Sequence, residues 1–107
     1  MTWNVYYTYD AEQDLQDIYS YISNVLLEPV TAKKQTNRIM NAVDSLDNVP
    51  LRYRLYEHEP WHSKGLRMLS VDNYLVFYLP EESKKSVVII RIMYGGRNIE
   101  KHLTKLE

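Results

Sequence analysis

The sequence of 107 residues is long enough for one domain with a modest core, and its 45% apolar and 25% charged content is ordinary for a globular protein. It contains no cysteine, which excludes disulfides and thiolate metal sites, and no apolar run near the ~18 residues that a membrane span requires. The net charge of −1 excludes the strongly basic character of a dedicated nucleic-acid binder, but residues 1–32 carry five acidic residues and no lysine or arginine.

The N-terminal part of the sequence predicts one strand followed by two helices. Residues alternate in polarity from Thr2 to Tyr9, which indicates a strand. Asp10 is a suitable N-cap, and we predict a first helix over residues 11–26. Its apolar stripe at helical spacing is Ala11, Leu15, Ile18, Ile22 and Val25. Pro29 suits the first turn of a second helix, and the short link between the two helices predicts an antiparallel hairpin.

Residues 49–64 form the least regular part of the sequence. His58 and His62 lie four residues apart beside glutamates, and this spacing suggests metal ligands when it falls on a helix. Pro60 lies between the two histidines and excludes a regular helix there. The sequence therefore favours a surface loop over a metal site, and we expect no cofactor.

The last third of the sequence predicts three antiparallel strands. Two strand-like runs flank Asp72-Asn73, a polar pair suited to a tight hairpin turn, and a run rich in valine and isoleucine extends from Ser86 to Tyr94. At Gly95-Gly96 we expect a turn that needs positive φ and directs Arg97 back toward the sheet. Strand, two helices and three strands together predict a single two-layer α+β domain over residues 1–107.

The hairpin turn also predicts a register, with Val71 opposite Tyr74 and Arg67 opposite Tyr78. Because side chains alternate between the faces of a strand, the register predicts two different faces. The expected core face comprises Leu66, Met68, Leu75, Phe77 and Leu79. The opposite face comprises Arg67, Tyr74 and Tyr78 beside Leu69, Val71 and Val76. Its mixture of cations, tyrosines and aliphatic residues predicts that this second face meets a partner.

Three arginines are the main candidates for binding. Arg67, Arg91 and Arg97 lie on or just after the predicted strands, and a charge in mid-strand, such as that of Arg91, needs a partner or an open face. If the three converge, their guanidinium groups would bind phosphates or carboxylates bidentately. Simpler roles are open as well, since Arg67 could stack on Tyr78 and Arg97 could bind a nearby carboxylate. Candidates for acid–base chemistry beside them include Tyr94 and His102.

Several motifs stand together across nearly the whole chain. They are Tyr9-x-Ala11-x-x-Asp14-Leu15-x-x-Ile18-x-x-Tyr21-Ile22, then Gly65-Leu66-Arg67, then Asn73-Tyr74-Leu75-Val76-Phe77-Tyr78, and finally Ile90-Arg91-Ile92-x-Tyr94-Gly95-x-Arg97-Asn98. In combination they resemble the RelE/ParE superfamily of bacterial toxins. The resemblance implies the same order of strand, two helices and three strands. It also implies a cytoplasmic toxin encoded with an antitoxin that wraps and neutralises it.

The superfamily is divided by target. RelE-like members cut mRNA in the ribosome, where basic residues hold the scissile phosphate and a tyrosine or histidine near the end assists proton transfer. ParE-like members share the sheet but poison DNA gyrase without known nuclease chemistry. The sequence resembles the second group, because Arg67 and Met68 stand where RelE-like nucleases place a lysine pair. In addition, Leu103 stands at the C-terminal tyrosine position, with His102 beside it.

The resemblance therefore implies a toxin that binds a protein target, DNA gyrase. The partner-binding residues are predicted from the chemistry of the sheet face and of the arginines. These are Arg67, Tyr74, Tyr78, Arg91 and Arg97. A second reading is a ribosome-dependent mRNA endonuclease, and only in that case would the chain be an enzyme. Its catalytic residues would then be Arg67, Arg91 and Arg97 for the phosphate and Tyr94 or His102 for proton transfer. A third reading is a decayed toxin that binds only its antitoxin.

Overall fold

The structure is a computed structural model that describes residues 2–96 and Leu103. Its main elements are β1 (Asn4–Tyr7), α1 (Tyr9–Ser20), a π-helical turn (Tyr21–Val25), α2 (Pro29–Asp44), α3 (Trp61–Lys64), β2 (Arg67–Val71), β3 (Tyr74–Glu81) and β4 (Ser86–Tyr94). Short 3₁₀ turns cover Ser45–Asp47, Pro50–Arg52 and Glu82–Lys84. The predicted α+β class, with two long helices after the first strand and three strands after them, is confirmed.

The sheet has four strands in the order β1-β4-β3-β2. The last three strands pair antiparallel, and the predicted hairpin register is confirmed, with Val71 opposite Tyr74 and Arg67 opposite Tyr78. The first strand pairs in parallel with β4, from Asn4 opposite Ser86 onward. The sequence predicted this first strand but not the strand with which it pairs. The structure therefore makes β4 a central strand along the part that β1 accompanies.

The first helix differs from its prediction at both ends. Asp10 is not the N-cap, because the helix begins at Tyr9 and the Thr8 hydroxyl accepts a hydrogen bond from the Ala11 backbone N–H at 3.1 Å. At the other end the helix widens into the π-helical turn, where the Leu26 N–H donates to the Tyr21 carbonyl. The wider turn shifts the helical phase. As a result Val25, which the apolar stripe predicted to be buried, is 63% exposed.

The two long helices cover one face of the sheet and form the main core with it. This core comprises Trp3, Ala11, Ile39, Val43, Leu46, Leu69, Val76, Tyr78, Val87, Ile89 and Ile92. The predicted partner-facing side of the hairpin is therefore wrong, since Leu69, Val76 and Tyr78 lie beneath the helices. The side chain of Tyr78 is fully buried, and its hydroxyl donates to the Pro50 carbonyl at 2.6 Å. Alternation distinguishes two faces of a strand, but it does not tell which face the helices cover.

The opposite face of the sheet carries a smaller core. Leu66, Met68 and Phe77, which were predicted to be core residues, pack there with Tyr56, Trp61, Met93 and Leu103. The irregular segment before β2 also covers the open edge of that strand. The Met68 N–H donates to the Arg54 carbonyl at 3.1 Å, and the Tyr56 N–H donates to the Leu66 carbonyl at 2.8 Å. Each face of the hairpin thus packs in a core, and the beginning of its outer edge is paired by the chain itself.

Candidate functional site

The side chain of Arg91 is held by Asp14 of α1. Its Nε and Nη2 atoms donate to the two carboxylate oxygens of Asp14 at 2.7 and 2.8 Å. Only 14% of the Arg91 side chain and 13% of the Asp14 side chain are exposed. Hydrogen bonding to Asp14 raises the pKa of Arg91, an effect that burial opposes and that the charges of Asp14 and Asp10 reinforce. This bidentate pair satisfies the mid-strand cation that the sequence singled out.

Asp14 also completes the edge of β4 beyond the end of β1. The first strand ends at Tyr7, opposite Ile89, so the rest of β4 has no strand on that side. There the Ile92 N–H donates to Asp14 Oδ2 at 2.9 Å, in the place where a neighbouring strand would offer a carbonyl. The carboxylate of Asp14 therefore accepts three hydrogen bonds and joins α1 to the sheet. A buried backbone donor without this acceptor would cost free energy comparable to a lost hydrogen bond.

Arg67 is also used within the chain, at the other end of the hairpin. Its Nη1 atom donates to the backbone carbonyls of Leu51 at 3.2 Å and Tyr53 at 2.6 Å. It therefore anchors the segment after α2, and the stacking on Tyr78 considered from the sequence is not the contact it makes. Arg67 and Arg91 bind different groups on different elements. Arg67 and Arg91 therefore do not converge on one ligand, which joint bidentate binding would require, and Arg97 and His102 lie outside the described residues.

A groove of about 770 Å³ lies between the first helix and the end of the sheet. We call it the tyrosine groove, and its lining residues are Asp14, Asp17, Ile18, Tyr21, Leu26, Tyr74, Ile92, Met93 and Tyr94. Two of them, Tyr74 and Tyr94, were site candidates from the sequence, and Tyr94 is 49% exposed. The groove therefore brings together two of the three tyrosine candidates, beside the Asp14 carboxylate that binds Arg91. It does not include Arg67 or Tyr78.

The tyrosines of the groove influence one another. The rings of Tyr74 and Tyr94 pack edge to face with their centroids 5.9 Å apart. Burial raises the pKa of Tyr74, and electrostatic interaction with Tyr94 and Tyr21 raises it further. All three phenol groups are thus close enough to interact, so the groove presents hydroxyl groups beside aromatic and aliphatic surface. Such amphipathic side chains are common at protein interfaces.

The glycine pair after β4 supports the ring of Tyr94. A Cβ atom at Gly96 would stand 2.7 Å from Cε2 of Tyr94, which is far inside van der Waals contact. A Cβ atom at Gly95 would stand 3.3 Å from the Asn73 carbonyl oxygen. The positive φ predicted for this turn is wrong, since among the described glycines only Gly65 has a positive φ. The absence of side chains here permits close packing of Gly96 against the Tyr94 ring and of Gly95 against the Asn73 backbone.

Sequence reasoning missed Asp14, Asp17, Tyr21 and Leu26 as site residues. Asp14 and Tyr21 belong to the helical motif that resembles the RelE/ParE superfamily, but there they served only to indicate the family. A signal for Asp14 did exist, because a mid-strand arginine requires an acidic partner. Of the part of the chain that the structure describes, no group of three or more His, Asp or Glu residues could hold a metal ion. No helix within the described ranges could cross a membrane.

Comparison with known protein families identifies the family of the chain. The chain matches the ParE toxin of the type II toxin-antitoxin system parDE over residues 5–99. The chain belongs to the ParE toxin family. It is thus a member of the RelE/ParE superfamily of type II toxin-antitoxin toxins, as its motifs predicted. No protein in a curated collection matches it significantly.

Solved structures show the same fold for this ParE-family chain. The chromosomal ParDE system from P. aeruginosa aligns with a TM-score of 0.71 and 25% identity, covering 87% of this chain and 96% of that one. A mutant of the E. coli toxin RelE in the free state aligns over 100% of both chains, with a TM-score of 0.67 and 10% identity. The archaeal RelE–RelB complex from Pyrococcus horikoshii aligns with a TM-score of 0.62 and 18% identity, covering 91% of this chain and 99% of that one. At these lower identities the likeness is one of fold.

Proposed function

We propose that the chain inhibits bacterial growth by binding a protein target, DNA gyrase, and that a co-encoded antitoxin neutralises it. The family match over residues 5–99 supports a type II toxin. Similar chains occur in solved toxin–antitoxin systems, which supports a protein antitoxin as the partner. The choice of a protein target over RNA depends on a separate observation in the site.

That observation is the engagement of Arg67 and Arg91 within the chain. A ribonuclease of this superfamily needs cations that are free to hold a scissile phosphate. Arg91 is mostly buried and paired bidentately with Asp14, and Arg67 is bonded to backbone carbonyls. Moving Arg91 to a phosphate would leave a largely buried carboxylate unpaired, which costs several kcal/mol, on the order of 3–5. Both arginines therefore support the fold, and among the candidate residues that the structure describes the tyrosines of the groove remain for target contact.

The test compares two activities in one experiment. The chain is induced without its antitoxin in bacteria that carry a DNA-damage reporter, while the integrity of several mRNAs is followed in the same culture. We expect growth arrest with activation of the reporter and intact mRNAs, and loss of supercoiling activity when purified gyrase is treated with the purified chain. Cleaved mRNA before any DNA damage would support the endonuclease instead. Normal growth at high expression would support a decayed toxin.

Restored growth on co-expression of the antitoxin completes this test. The antitoxin gene is expressed from a second promoter, and we expect colony formation to recover. A matched control is an antitoxin from an unrelated system, which should leave the arrest unchanged. Rescue by both antitoxins alike would contradict specific neutralisation.

A further inference from the structure

The tyrosine groove has an acidic character among its described lining residues. It contains Asp14 and Asp17 and no lysine or arginine. Arg91 neutralises the charge of Asp14. Asp17 is exposed, and its hydrogen-bond partner in the chain is the neutral amide of Gln13 at 3.0 Å. The negative charge of Asp17 is therefore uncompensated within this lining.

The groove continues into exposed apolar surface at the turn between α1 and α2. We call this surface the apolar tip, and it comprises Val25, Leu26, Leu27 and Val30, which are 63%, 51%, 76% and 67% exposed. Leu26 belongs to both the groove and the tip. A contiguous exposed apolar surface is typical of a protein-binding site.

Neither burial nor backbone conformation accounts for a leucine at position 27. The residue has φ of 57°, a left-handed conformation that glycine or asparagine adopts far more readily than a bulky side chain. Its side chain is 76% exposed, so it gains little from packing within the chain. A residue that is unfavourable for local structure and unburied is well explained by a contact with a partner.

We propose that the tyrosine groove and the apolar tip together bind a segment of the target protein that carries aliphatic side chains and a lysine or arginine, with the cation placed at Asp17. The aliphatic side chains would lie against Leu26, Leu27 and the tyrosine rings. This inference rests on the proposed function, because it names the chemistry of the segment that a target-binding toxin would recognise. This basic segment is opposite in charge to the phosphates or carboxylates that the three arginines predicted as ligands from the sequence.

The first test uses the full chain and two short amphipathic peptides with the same leucine face. One peptide has lysines and the other glutamates on its polar face, and binding is measured by fluorescence anisotropy of the labelled peptides. We expect the lysine peptide to bind more tightly, by about two- to fivefold for one exposed ion pair. Asp17→Lys should remove or reverse the preference, whereas Glu82→Lys, at an exposed position in the turn before β4, should preserve it. Equal binding of both peptides, a preference that persists in Asp17→Lys, or no binding of the lysine peptide would overturn the proposal.

The second test separates the groove from the general toxin function. Wild type, Asp17→Lys and Leu27→Gly are induced in bacteria, and their melting temperatures are measured on purified chains. We expect both variants to arrest growth more weakly, while Leu27→Gly melts at the same or a higher temperature because glycine fits the left-handed backbone. If wild type fails to arrest growth, the proposed function fails, and the peptide test alone judges the groove. Full arrest by both variants would overturn the groove assignment. If co-expressed antitoxin also failed to reverse that arrest, the groove would bind the antitoxin instead of the target.

Discussion

The polar groups of the sheet fall into two regions that the fold treats differently. The first region, which we call the interior group because its members bond within the chain, comprises Arg91 paired with Asp14, the partly buried Arg67 bonded to backbone carbonyls, and Tyr78 bonded to the Pro50 carbonyl. At the end of the sheet Tyr94 is 49% exposed, and Tyr21 of the π-helical turn, on the other side of the tyrosine groove, is 54% exposed. The interior groups are used to hold the chain together, whereas the groups at the end are available to a partner. A charged or polar residue in a strand is therefore a functional candidate only after its possible partners in the chain have been considered.

The largest effect on stability is expected from Asp14→Ala. This change would leave the guanidinium of Arg91 unpaired and the Ile92 N–H without an acceptor, and breaking a largely buried pair in this way costs about 3 kcal/mol or more. Urea unfolding would measure it. The control is Asp17→Ala on the same helix, which is exposed and should change the free energy of unfolding by less than about 0.5 kcal/mol. Similar values for the two variants would contradict the division into two regions.

A smaller effect concerns Tyr78 and high pH. Burial, which the charge of Arg67 partly offsets, raises the pKa of Tyr78 to about 12 from the usual value of 10.0. Between pH 10 and about 12, the hydroxyl of Tyr78 is therefore mostly protonated in the folded state and mostly ionised in the unfolded state. The resulting stabilisation is complete below pH 10 and disappears as the pH rises through 12, and it amounts to at most about 2–3 kcal/mol.

Tyr78→Phe tests this linkage, with urea unfolding measured from neutral pH to pH 12. The variant should lose about 1 kcal/mol at neutral pH, because the Pro50 carbonyl loses its donor, and should show a smaller decline in stability above pH 10. Tyr9→Phe is the matched control, since Tyr9 is 78% exposed, and it should keep the slope of wild type. Identical slopes for wild type and Tyr78→Phe would show that Tyr78 is not the titrating group.

Tyr94→Ala should separate stability from function. Loss of its edge-to-face contact with Tyr74 should cost only about 1 kcal/mol of stability. Loss of an exposed aromatic contact at a binding site is expected to weaken target binding by more, about 2 kcal/mol. Thermal melting and growth arrest on the same variant would test this, with Tyr9→Ala as the exposed control. Arrest that is lost only in proportion to stability would assign Tyr94 to the interior group.

The smallest effect on stability is expected from Arg97→Ala. The sequence places Arg97 after the two glycines that follow β4, beyond the described part of the chain. From the sequence we expect Arg97 to contact a partner rather than to support the fold, so its side chain should contribute within about 0.5 kcal/mol to stability. Loss of a bidentate contact to a target should cost more, roughly 1.5–3 kcal/mol of binding. A large drop in melting temperature would make Arg97 structural, and full toxicity with an unchanged melt would remove it from the site.

The sequence predicted the strands and the hairpin register because both depend on local chemistry. The pair Asp72-Asn73 fixes the turn, and Asp72 has a positive φ of 55°. The face of the hairpin was wrong because long-range packing decides it. Tyrosine adds to the difficulty, since the same side chain is buried at Tyr78 and half exposed at Tyr94. The difference lies in a carbonyl supplied by Pro50, 28 residues away.

The site was less predictable than the fold. A mid-strand arginine indicated that a partner was needed, but Asp14 lies 77 residues from Arg91 in sequence, and no local pattern joins the two. The exposed tip depends on the π-helical turn, which changes the phase of an otherwise regular apolar stripe. Because a periodic pattern assumes a regular helix, it predicted that Val25 would be buried. Tyr74 was a candidate through the composition of its hairpin face and Tyr94 through its position beside the arginines, and the groove that joins them became visible only in three dimensions.

The parallel pairing of β1 with β4 has a consequence for the way in which a cell makes this protein. Val5 of β1 pairs with Val87 of β4, so β1 has no strand to pair with until most of the chain has been synthesised. The complete sheet therefore forms late. Contacts between such distant parts of a sequence also slow folding. A chain whose translation stops before Ser86 lacks the strand that supplies Arg91 and Tyr94, and it can form neither the Asp14–Arg91 pair nor the tyrosine groove. Interrupted synthesis therefore yields fragments in which the four-stranded sheet cannot form.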